Sequence, residues 1–316
     1  MRTRFRGIDQ RQGMVWRGPA GWAEWSPFLD YDGPELVPWW RAAVEAAEQG
    51  WPEPVRDRVL VNSTIPALPP EQAYTLAAAA SCGTAKVKVA ERGQSLADDL
   101  ARVEAVRDAL GPSGQVRVDA NGGWSVDEAE TAVRQLARHG LEYVEQPCAQ
   151  VEELAELRRR LARRGVHVLI AADESIRRVE DPYRVRELEA ADVAVLKVQP
   201  LGGVRACLEI AERIGLPVVV SSALETSVGI RAGVALAAAL PELPYACGLN
   251  TVPLLTGDLA VTPLVAQAGE LPVTDLVLDE ERLARHRARP EVAAFWQARL
   301  VRISELARAT ERVGRG

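Results

Sequence analysis

Lysine is rare in this chain, and its rarity singles out three positions. Of the 38 lysines and arginines among the 316 residues, only Lys86, Lys88 and Lys197 are lysines. Arginine keeps its proton at any pH that a folded protein survives, whereas a desolvated lysine can release it. A base, an acid or a Schiff-base amine can therefore be a lysine but not an arginine. These three lysines are the first candidates for catalytic groups.

Three acidic residues recur at intervals of roughly one strand and one helix. Asp119, Glu145 and Asp173 each follow a short apolar run. Carboxylates that converge on one point repel one another and raise a pKa, and a divalent cation between them removes that conflict. Oxygen ligands without a nearby His or Cys select a hard ion. The pattern predicts a Mg²⁺ site, with Mn²⁺ as the usual substitute.

Together, these residue types indicate proton abstraction next to a carboxylate. A carboxylate substrate bound to the cation would have a more acidic α-proton, because the cation stabilises the enediolate that forms. A lysine with a lowered pKa would remove that proton, while an ammonium on the opposite side would offset the developing charge. Lys86, two residues from Lys88, would help to lower the pKa of Lys88 by like-charge repulsion.

The elements that must position these residues are β-rich runs that alternate with helical stretches. Such alternation predicts a parallel sheet of β–α units. Ser95 and Gly111 bound one helix, and Ser125 with Glu128 forms a capping box at the start of the next. The predicted strands are AKVKVA, QVRVDANGG, LEYVEQP, VHVLIAADES, ADVAVLKVQPLGG, LPVVVSSALETS and YACGLNT. Strands in this number match a (β/α) barrel that is one unit short of eight.

In such a barrel the active site lies at the C-terminal ends of the strands. The predicted strands would bring the lysines and the acids to that face. They would bring four further polar residues with them: Arg117, Asn121, Ser221 and Ser222.

The composition divides the chain into three segments. Residues 1–75, rich in Trp, Pro and Gly, are predicted to form an α+β capping domain. Residues 76–262 are predicted to form the barrel domain. Residues 263–316 are helical in pattern and contain no barrel strand, so we expect them to return to the capping domain.

The segments KVK, DANGGW, VEQP, ADES and LKVQPLGG, in this order, resemble the enolase superfamily in its muconate-cycloisomerase-like branch. The pairing of a lysine base with magnesium is a known feature of that superfamily. The resemblance implies an α/β fold, a modified TIM-type (β/α)7β barrel. It also implies an N-terminal α+β capping domain against which the C-terminal helical tail packs.

Within this branch, GWAEWSPF and SSALETSVG are most similar to members that act in menaquinone biosynthesis. Those members dehydrate 2-succinyl-6-hydroxy-2,4-cyclohexadiene-1-carboxylate (SHCHC) to o-succinylbenzoate. The resemblance implies a Mg²⁺-dependent carbon–oxygen lyase, a hydro-lyase. Lys88 would take the α-proton and then protonate the departing hydroxyl, and Lys197 would stabilise the enediolate from the other face.

The resemblance also implies roles for the remaining candidates. Asp119, Glu145 and Asp173 would hold Mg²⁺, with Lys86 beside the catalytic lysine. From its own place in the sequence, Arg117 is expected to lie beneath the site in salt bridges with carboxylates, and Glu174 is expected either to orient a lysine or to bind the metal directly. The resemblance implies substrate contacts at Ser221, Ser222 and the backbone around Gly202 and Gly203, and Asn121 is either a further contact or a turn former.

Other functions of the same residues stay open. N-acylamino-acid racemases and dipeptide epimerases on this scaffold also need two opposed lysines, although ACGLNT contains no DxD motif for a free amino group. A Schiff-base aldolase could use Lys197, but it would leave the three acids without a role. A non-catalytic barrel would have little reason to keep both the lysines and the acids.

The bulk composition excludes several classes of partner. A net charge of −6 disfavours nucleic acid, and the chain shows neither an apolar leader nor a membrane-spanning run. The four cysteines are scattered without C-x-x-C spacing, so neither a disulfide framework nor a zinc knuckle is expected. We therefore expect a cytoplasmic enzyme that acts on a small carboxylate, with no obligatory protein partner.

Overall fold

The computed structural model describes residues 1–3, 5, 7–177 and 182–313. Its N-terminal part contains an antiparallel strand pair, a 3-10 helix (Gly33–Glu35) and one long helix. These elements are β1 (Met14–Arg17), β2 (Trp22–Trp25) and α1 (Leu36–Glu48). A second antiparallel pair joins β3 (Arg58–Leu60) to a strand near the C-terminus, Glu270–Pro272.

Seven parallel strands form one sheet, and their order in the sheet is their order in the chain. They are β4 (Ser63–Ile65), β5 (Thr84–Lys88), β6 (Gln115–Asp119), β7 (Leu141–Glu145), β8 (Leu169–Ala172), β9 (Val193–Leu196) and β10 (Val218–Val220). Single parallel bridges from Cys247 to Val61 and from Gly248 to Ser221 connect the two edges of this sheet. Residues 247 and 248 thus stand in the eighth strand position, and the predicted (β/α)7β barrel is confirmed.

Helices follow the barrel strands. They are α2 (Pro70–Ala79), α3 (Leu96–Leu110), α4 (Val126–Leu136), α5 (Val151–Arg163), α6 (Glu174–Arg177), α7 (Arg184–Glu187), α8 (Val198–Leu201), α9 (Val204–Ile214) and α10 (Ser227–Ala239). The capping box of Ser125 and Glu128 is present at the start of α4, as predicted. Ser95 caps α3 and Gly111 ends it, also as predicted.

The period of two along each strand sorts side chains between two environments. One set packs between the sheet and the helices, and its members include Val118, Val144, Ile170 and Leu196. The alternate residues point into the barrel, where an apolar layer consists of Tyr143, Ala171, Val193, Val195 and Val219. The last inward positions of β5, β6 and β7 carry charged residues instead, and these lie at the C-terminal end of the barrel.

The C-terminal part consists of the strand Glu270–Pro272 (β11), α11 (Glu280–Arg285) and α12 (Pro290–Val313). Helix α12 packs against the N-terminal elements: Trp296 meets Trp25 edge to face, with ring centroids 5.4 Å apart. Ile303 lies in the same apolar cluster as Trp39.

The predicted segment boundaries at residues 75 and 262 stay predictions. Strand β4 (Ser63–Ile65) pairs with β5 in the barrel sheet, although the sequence analysis assigned residues 1–75 to the capping domain. Its three residues are too short for a period to show in the sequence, which explains the assignment.

Helix α1 is joined to the barrel at the start of α9. Glu45 of α1 accepts hydrogen bonds from the backbone N–H groups of Val204, at 2.5 Å, and Arg205, at 3.1 Å. The glycine before them, Gly203, has φ +122°, and a Cβ there would lie 2.1 Å from Glu45 Oε2. Gly203 therefore permits the cap to approach the helix so closely.

No helix in the described part of the chain is both long and apolar enough to cross a bilayer. Cys82, Cys148, Cys207 and Cys247 are all buried and none forms a disulfide.

Replacing Gly203 by Ala should lower the free energy of unfolding by about 2–3 kcal/mol, since Glu45 would have to leave the start of α9 and the backbone would be strained. Urea denaturation measures this loss. Gly111→Ala is the matched control: φ there is +68° but no atom lies within 4 Å of the new Cβ. The control has comparable backbone strain without the clash, so its loss should be smaller by about 1 kcal/mol or more, and equal losses would contradict the role of Glu45.

Candidate active site

The three acids predicted to bind a cation lie side by side at the ends of neighbouring strands. Asp119 ends β6, Glu145 ends β7, and the two are partners in the register of the sheet. Asp173 follows β8 directly. All three side chains are buried, with no more than 1% of each residue exposed. Parallel strands in register bring them together although they are far apart in sequence.

Each lysine donates a hydrogen bond to one of these acids. Lys86 Nζ donates to both oxygens of Glu145 at 2.8 Å and lies 3.4 Å from Asp119 Oδ2. Lys88 Nζ donates to Asp119 Oδ2 at 2.5 Å. Lys197 Nζ donates to Asp173 Oδ2 at 2.5 Å. The lysines are themselves buried, so each charge depends on its partner.

A polar network connects Lys88 with the opposite side of the site. Lys88 Nζ also donates to Asn121 Oδ1 at 2.5 Å, and Asn121 Nδ2 donates to Glu174 at 3.3 Å. Arg177 donates to Glu174 at 2.5 Å and to Asp173 Oδ1 at 2.8 Å, and it also donates to the Tyr31 hydroxyl of the cap. Glu174 therefore reaches Lys88 only through Asn121, and its role in orienting a lysine stays a prediction.

The pKa shifts in this cluster follow from burial and the nearby charges. Burial opposes ionisation of Asp119, but Lys88 and Lys86 outweigh it and lower the pKa of this carboxyl. Burial would lower the pKa of Lys86, yet Glu145 and Asp119 raise it above its ordinary value. Burial, reinforced by the charge of Asp119, raises the pKa of Glu145 to about 7. Burial lowers the pKa of Lys197 although Asp173 opposes it.

The donor set fits a hard divalent cation. It consists of carboxylate oxygens on three adjacent strand ends, and their mutual repulsion contributes to the raised pKa of Glu145. A double positive charge among them would offset that repulsion. Among the described residues, however, no three His, Cys, Asp or Glu side chains are arranged as metal ligands. Hydrogen bonds from the lysines and from Arg177 hold the carboxylates instead, and these bonds must yield for a cation to bind.

One pocket contains all three lysines. Lys88 and Lys197 lie on strands that flank the three acid-bearing ones, and both line this pocket. Of the predicted substrate contacts, Asn121, Ser221 and Ser222 line it too. Its remaining lining residues are Phe5, Phe28, Thr64, Lys86, Asp119, Ala223, Leu224, Gly248 and Thr251. Ser222 Oγ and Thr251 Oγ1 are 2.8 Å apart, so the two hydroxyls hydrogen-bond to each other.

The prediction that Gly202 and Gly203 contact substrate needs correction. The structure places both against helix α1: Gly202 faces Pro38, and Gly203 faces Glu45. The amide groups that follow them bind Glu45 rather than a ligand. The resemblance of LKVQPLGG to the superfamily was the ground for that prediction. The intervening α8 carries them away from the site.

Arg117 and Lys86 occupy positions that refine their predicted roles. Arg117 points into the barrel two residues before Asp119, where it is paired with Glu142 and donates to the carbonyl of Ala246 at 2.6 Å. It thus lies beneath the site, as expected. Lys86 is the counter-ion of Glu145 rather than a free charge beside Lys88.

Two further residues shape the site, although the sequence motifs did not single them out. The buried Arg177 follows Asp173 by one helical turn. Gln146, also buried, accepts hydrogen bonds from the N–H groups of Asp173, at 3.0 Å, and Ser175, at 3.1 Å. Its position directly after Glu145 in VEQP was the available signal. Gln146 joins the end of β7 to the end of β8 and so holds two of the acids in place.

Two family models match this chain. One, described as enolase C-terminal domain-like, matches residues 70–277, and one described as enolase N-terminal domain-like matches residues 1–47. The chain is 64% identical over 300 residues to the o-succinylbenzoate synthase of Thermobifida fusca, which covers 95% of this chain and 92% of the relative. It is 54% identical over 298 residues to the o-succinylbenzoate synthase of Mycolicibacterium smegmatis, with 94% and 90% covered.

Solved structures of related enzymes superpose on it. The muconate lactonizing enzyme of Pseudomonas fluorescens in complex with muconolactone superposes with a TM-score of 0.71 at 30% identity, over 82% of this chain and 74% of that one. The muconate cycloisomerase of Pseudomonas fluorescens superposes with a TM-score of 0.72 at 26% identity, over 88% of this chain and 94% of that one.

Divalent cations should raise the melting temperature, because they would bind the folded carboxylate cluster and not the unfolded chain. A concentration of about 100 times Kd corresponds to about 2.7 kcal/mol of stabilisation. Differential scanning fluorimetry with Mg²⁺, Mn²⁺ and EDTA measures the shift. Glu145→Gln should lose at least half of it, whereas the exposed Glu187→Gln should keep all of it. A full shift in the Glu145 variant would contradict the assignment.

Proposed function

This chain belongs to the enolase superfamily, and from that premise we propose that it catalyses the o-succinylbenzoate synthase reaction, the dehydration of SHCHC to o-succinylbenzoate. It is an enzyme of the carbon–oxygen lyase class, a hydro-lyase that acts on a small molecule. Relatives at 52–64% identity over most of the chain carry that name. The structural observation that carries the proposal is a row of three buried acids at adjacent strand ends, flanked by Lys88 and Lys197, which both line one pocket together with Asp119.

Lys88 is proposed as the acid/base. As a neutral amine, its Nζ takes the α-proton of the substrate carboxylate, and the C–H electron pair moves into the enediolate. The same Nζ then returns that proton to the departing hydroxyl as the C–O bond breaks, and water leaves. The proton ends in the product water, and the substrate loses nothing else. Hydrogen bonds from Lys88 to Asp119 and Asn121 orient the amine beforehand.

Lys197 is proposed to stabilise the enediolate from the opposite side. Its ammonium is buried beside Asp173, so its charge acts in a poorly screened environment. Arg177 holds the other oxygen of Asp173, and Asp173 therefore keeps a counter-ion when Lys197 turns toward the substrate. That arrangement lets Lys197 serve the reaction without leaving a buried carboxylate unpaired.

The enzyme depends on a divalent metal, as its family does, and we propose Mg²⁺ with Mn²⁺ as substitute. When bound, the ion would acidify the α-proton and stabilise charge on the substrate carboxylate. Asp119, Glu145 and Asp173 would hold it, and their interaction with one another supports this choice. Ser221, Ser222 and Asn121 are proposed to contact the substrate, because all three line the pocket with the lysines.

We place the reaction in menaquinone biosynthesis and in the cytoplasm, without nucleic-acid, membrane or obligatory protein partners. The unpaired cysteines support a reducing compartment. N-acylamino-acid racemisation is the second candidate activity. The observation in its favour is that amines flank the acids on both sides, as a two-base reaction requires.

Lys88→Arg should abolish turnover while the protein stays folded and binds Mg²⁺, because a guanidinium keeps the charge but cannot act as a base. A loss of kcat by roughly 10³-fold or more is expected, from the contribution of general acid–base catalysis together with the loss of the leaving-group acid. The measurements are kcat, the melting temperature and its Mg²⁺ shift. Arg92→Lys, at an exposed site, is the control. Residual turnover within tenfold of wild type would exclude Lys88 as the base.

Purified enzyme should consume SHCHC with an ultraviolet absorbance change that requires Mg²⁺ or Mn²⁺. In parallel, N-succinyl amino acids are incubated in D₂O, and α-deuteration is followed by mass spectrometry. Dehydration should be the faster reaction, because ACGLNT lacks an acidic pair to hold an amino group. Deuteration of the amino acids without any reaction of SHCHC would transfer the assignment to the racemase.

A further inference from the structure

Two glutamates outside the proposed chemistry are buried where the cap meets the barrel. Glu24 lies on β2 with 6% of its surface exposed, and Glu225 lies between β10 and α10 with 4% exposed. Burying a carboxylate costs several kcal/mol unless other groups satisfy it. The pair therefore needs an explanation that the dehydration does not supply.

Glu24 belongs to the N-terminal capping domain, yet its carboxylate binds the N-terminus of the barrel helix α10. Its Oε2 accepts from Thr226 N at 3.1 Å, Thr226 Oγ1 at 2.5 Å and Gly229 N at 3.0 Å. Its Oε1 accepts from Ser26 Oγ at 2.7 Å. A carboxylate at this point satisfies orphan N–H groups in the first turn of α10 and favours the positive end of the helix.

Glu225 makes a second connection between the capping domain and the barrel. The contact that Glu24 and Glu225 form together between these two parts is called the seam below. Its Oε2 accepts from Ala223 N at 2.6 Å, and its Oε1 accepts from Gln199 Nε2 at 3.4 Å. Gln199 in turn accepts a hydrogen bond at 3.1 Å from Ser26 N of the cap. A Cβ at Gly229 would lie 2.4 Å from Glu225 Cβ, so the glutamate is packed tightly against the first turn of α10.

Between these anchors runs one wall of the active-site pocket, residues 221–224. Ser221 is held by the barrel, since its N–H donates to Leu196 O at 2.9 Å. Ala223 and Leu224 belong to the apolar cluster of the cap instead. Leu224 has φ +61°, a conformation that costs about 1 kcal/mol or more and persists only where the surroundings impose it.

We propose that Glu24 and Glu225 are positioning residues that bind the cap to this pocket wall and thereby set substrate affinity. The proposal rests on the proposed function, because it assumes that the wall contacts the substrate. Neither glutamate touches the reacting atoms. Their effect on catalysis should therefore appear in KM rather than in kcat.

The ionisation of Glu24 and Glu225 should make the stability of this contact depend on pH. Burial, reinforced by the charge of Glu24, raises the pKa of Glu225 to about 7, and burial also raises the pKa of Glu24. Arg11 is the cation that faces both, and it donates to Ala223 O at 3.0 Å. The neutral amide of Gln199 and the first turn of α10 complete the surroundings. Near neutral pH, ionised Glu225 would repel Glu24 across the seam.

The sign of the effect on stability follows from linkage. Folding raises the pKa of Glu225 above its ordinary value of 4.5, so the folded protein holds the proton more tightly than the unfolded chain. Glu225 does not lower the free energy of unfolding below about pH 4.5, and its ionisation lowers that free energy most above about pH 7. The seam should therefore weaken as pH rises through this window.

Glu225→Gln tests the pH dependence, because the amide keeps an oxygen for Ala223 N and never ionises. From pH 6 to pH 8, KM for SHCHC should rise roughly three- to tenfold more in wild type than in the variant, because only the contribution of Glu225 is removed. The melting temperature of the variant should exceed that of wild type at pH 8, and the difference should vanish toward pH 5. Glu48→Gln, at an exposed position of α1, should match wild type throughout.

Glu24→Met tests the anchor itself, because it removes the acceptors of Thr226 and Gly229 at similar volume. KM should rise roughly tenfold with kcat within about threefold of wild type, and Glu24→Gln should recover part of that loss because its amide oxygen can still accept from Thr226 and Gly229. Ser26→Ala should shift KM in the same direction by less, which keeps the test decisive if the methionine variant does not fold.

Wild-type KM in the Glu225→Gln, Glu24→Met and Ser26→Ala variants at every pH would overturn the inference. So would a loss confined to kcat. Failure of the proposed function looks different: wild type itself would then leave SHCHC unchanged. In that case the pH dependence of the melting temperature still decides whether the seam exists.

Discussion

Three carboxylates are buried at adjacent strand ends, and the need to balance their charge constrains the rest of the structure. Removing one partner of a buried ion pair costs about 3–5 kcal/mol, so each acid must keep a cation nearby. Lys86 forms an ion pair with Glu145, and Lys88 forms one with Asp119. Lys197 and Arg177 both pair with Asp173. The charged groups that hold these acids in place are thus the same groups that the proposed chemistry uses.

That double use explains the division between lysine and arginine at the site. Arg177 contacts two acids at once, and Arg117 contacts one acid and one carbonyl, and such multiple contacts suit a planar guanidinium. The positions proposed to exchange partners, or to exchange a proton, carry lysine instead. A flexible ammonium can leave a carboxylate for a substrate, and only an amine can act as a base. Arginine thus stands at the fixed contacts, and lysine stands at the positions that we propose for catalysis.

The strand ends could be predicted because the period of a strand is two and the period of a β–α unit is nearly constant. Lys86, Lys88, Asp119 and Glu145 follow directly from those two periods, and they line or adjoin one pocket. Gly202 and Gly203 were misplaced because a short helix turns the chain toward α1, and no sequence period records such a turn. Strand β4 escaped notice since three residues are too few to alternate.

Arg177, Gln146 and the Glu24–Glu225 seam escaped prediction for a different reason. Each acts through contacts between segments far apart in the chain, as when Glu24 caps a helix about two hundred residues later. The sequence by itself determined the alternation of strands and helices, the residues at the strand ends and the chemistry open to them, because these depend on local periods and residue types. Only the tertiary structure decided which cation pairs with which acid and how the cap meets the pocket wall, because those pairings depend on distances that chain folding alone creates.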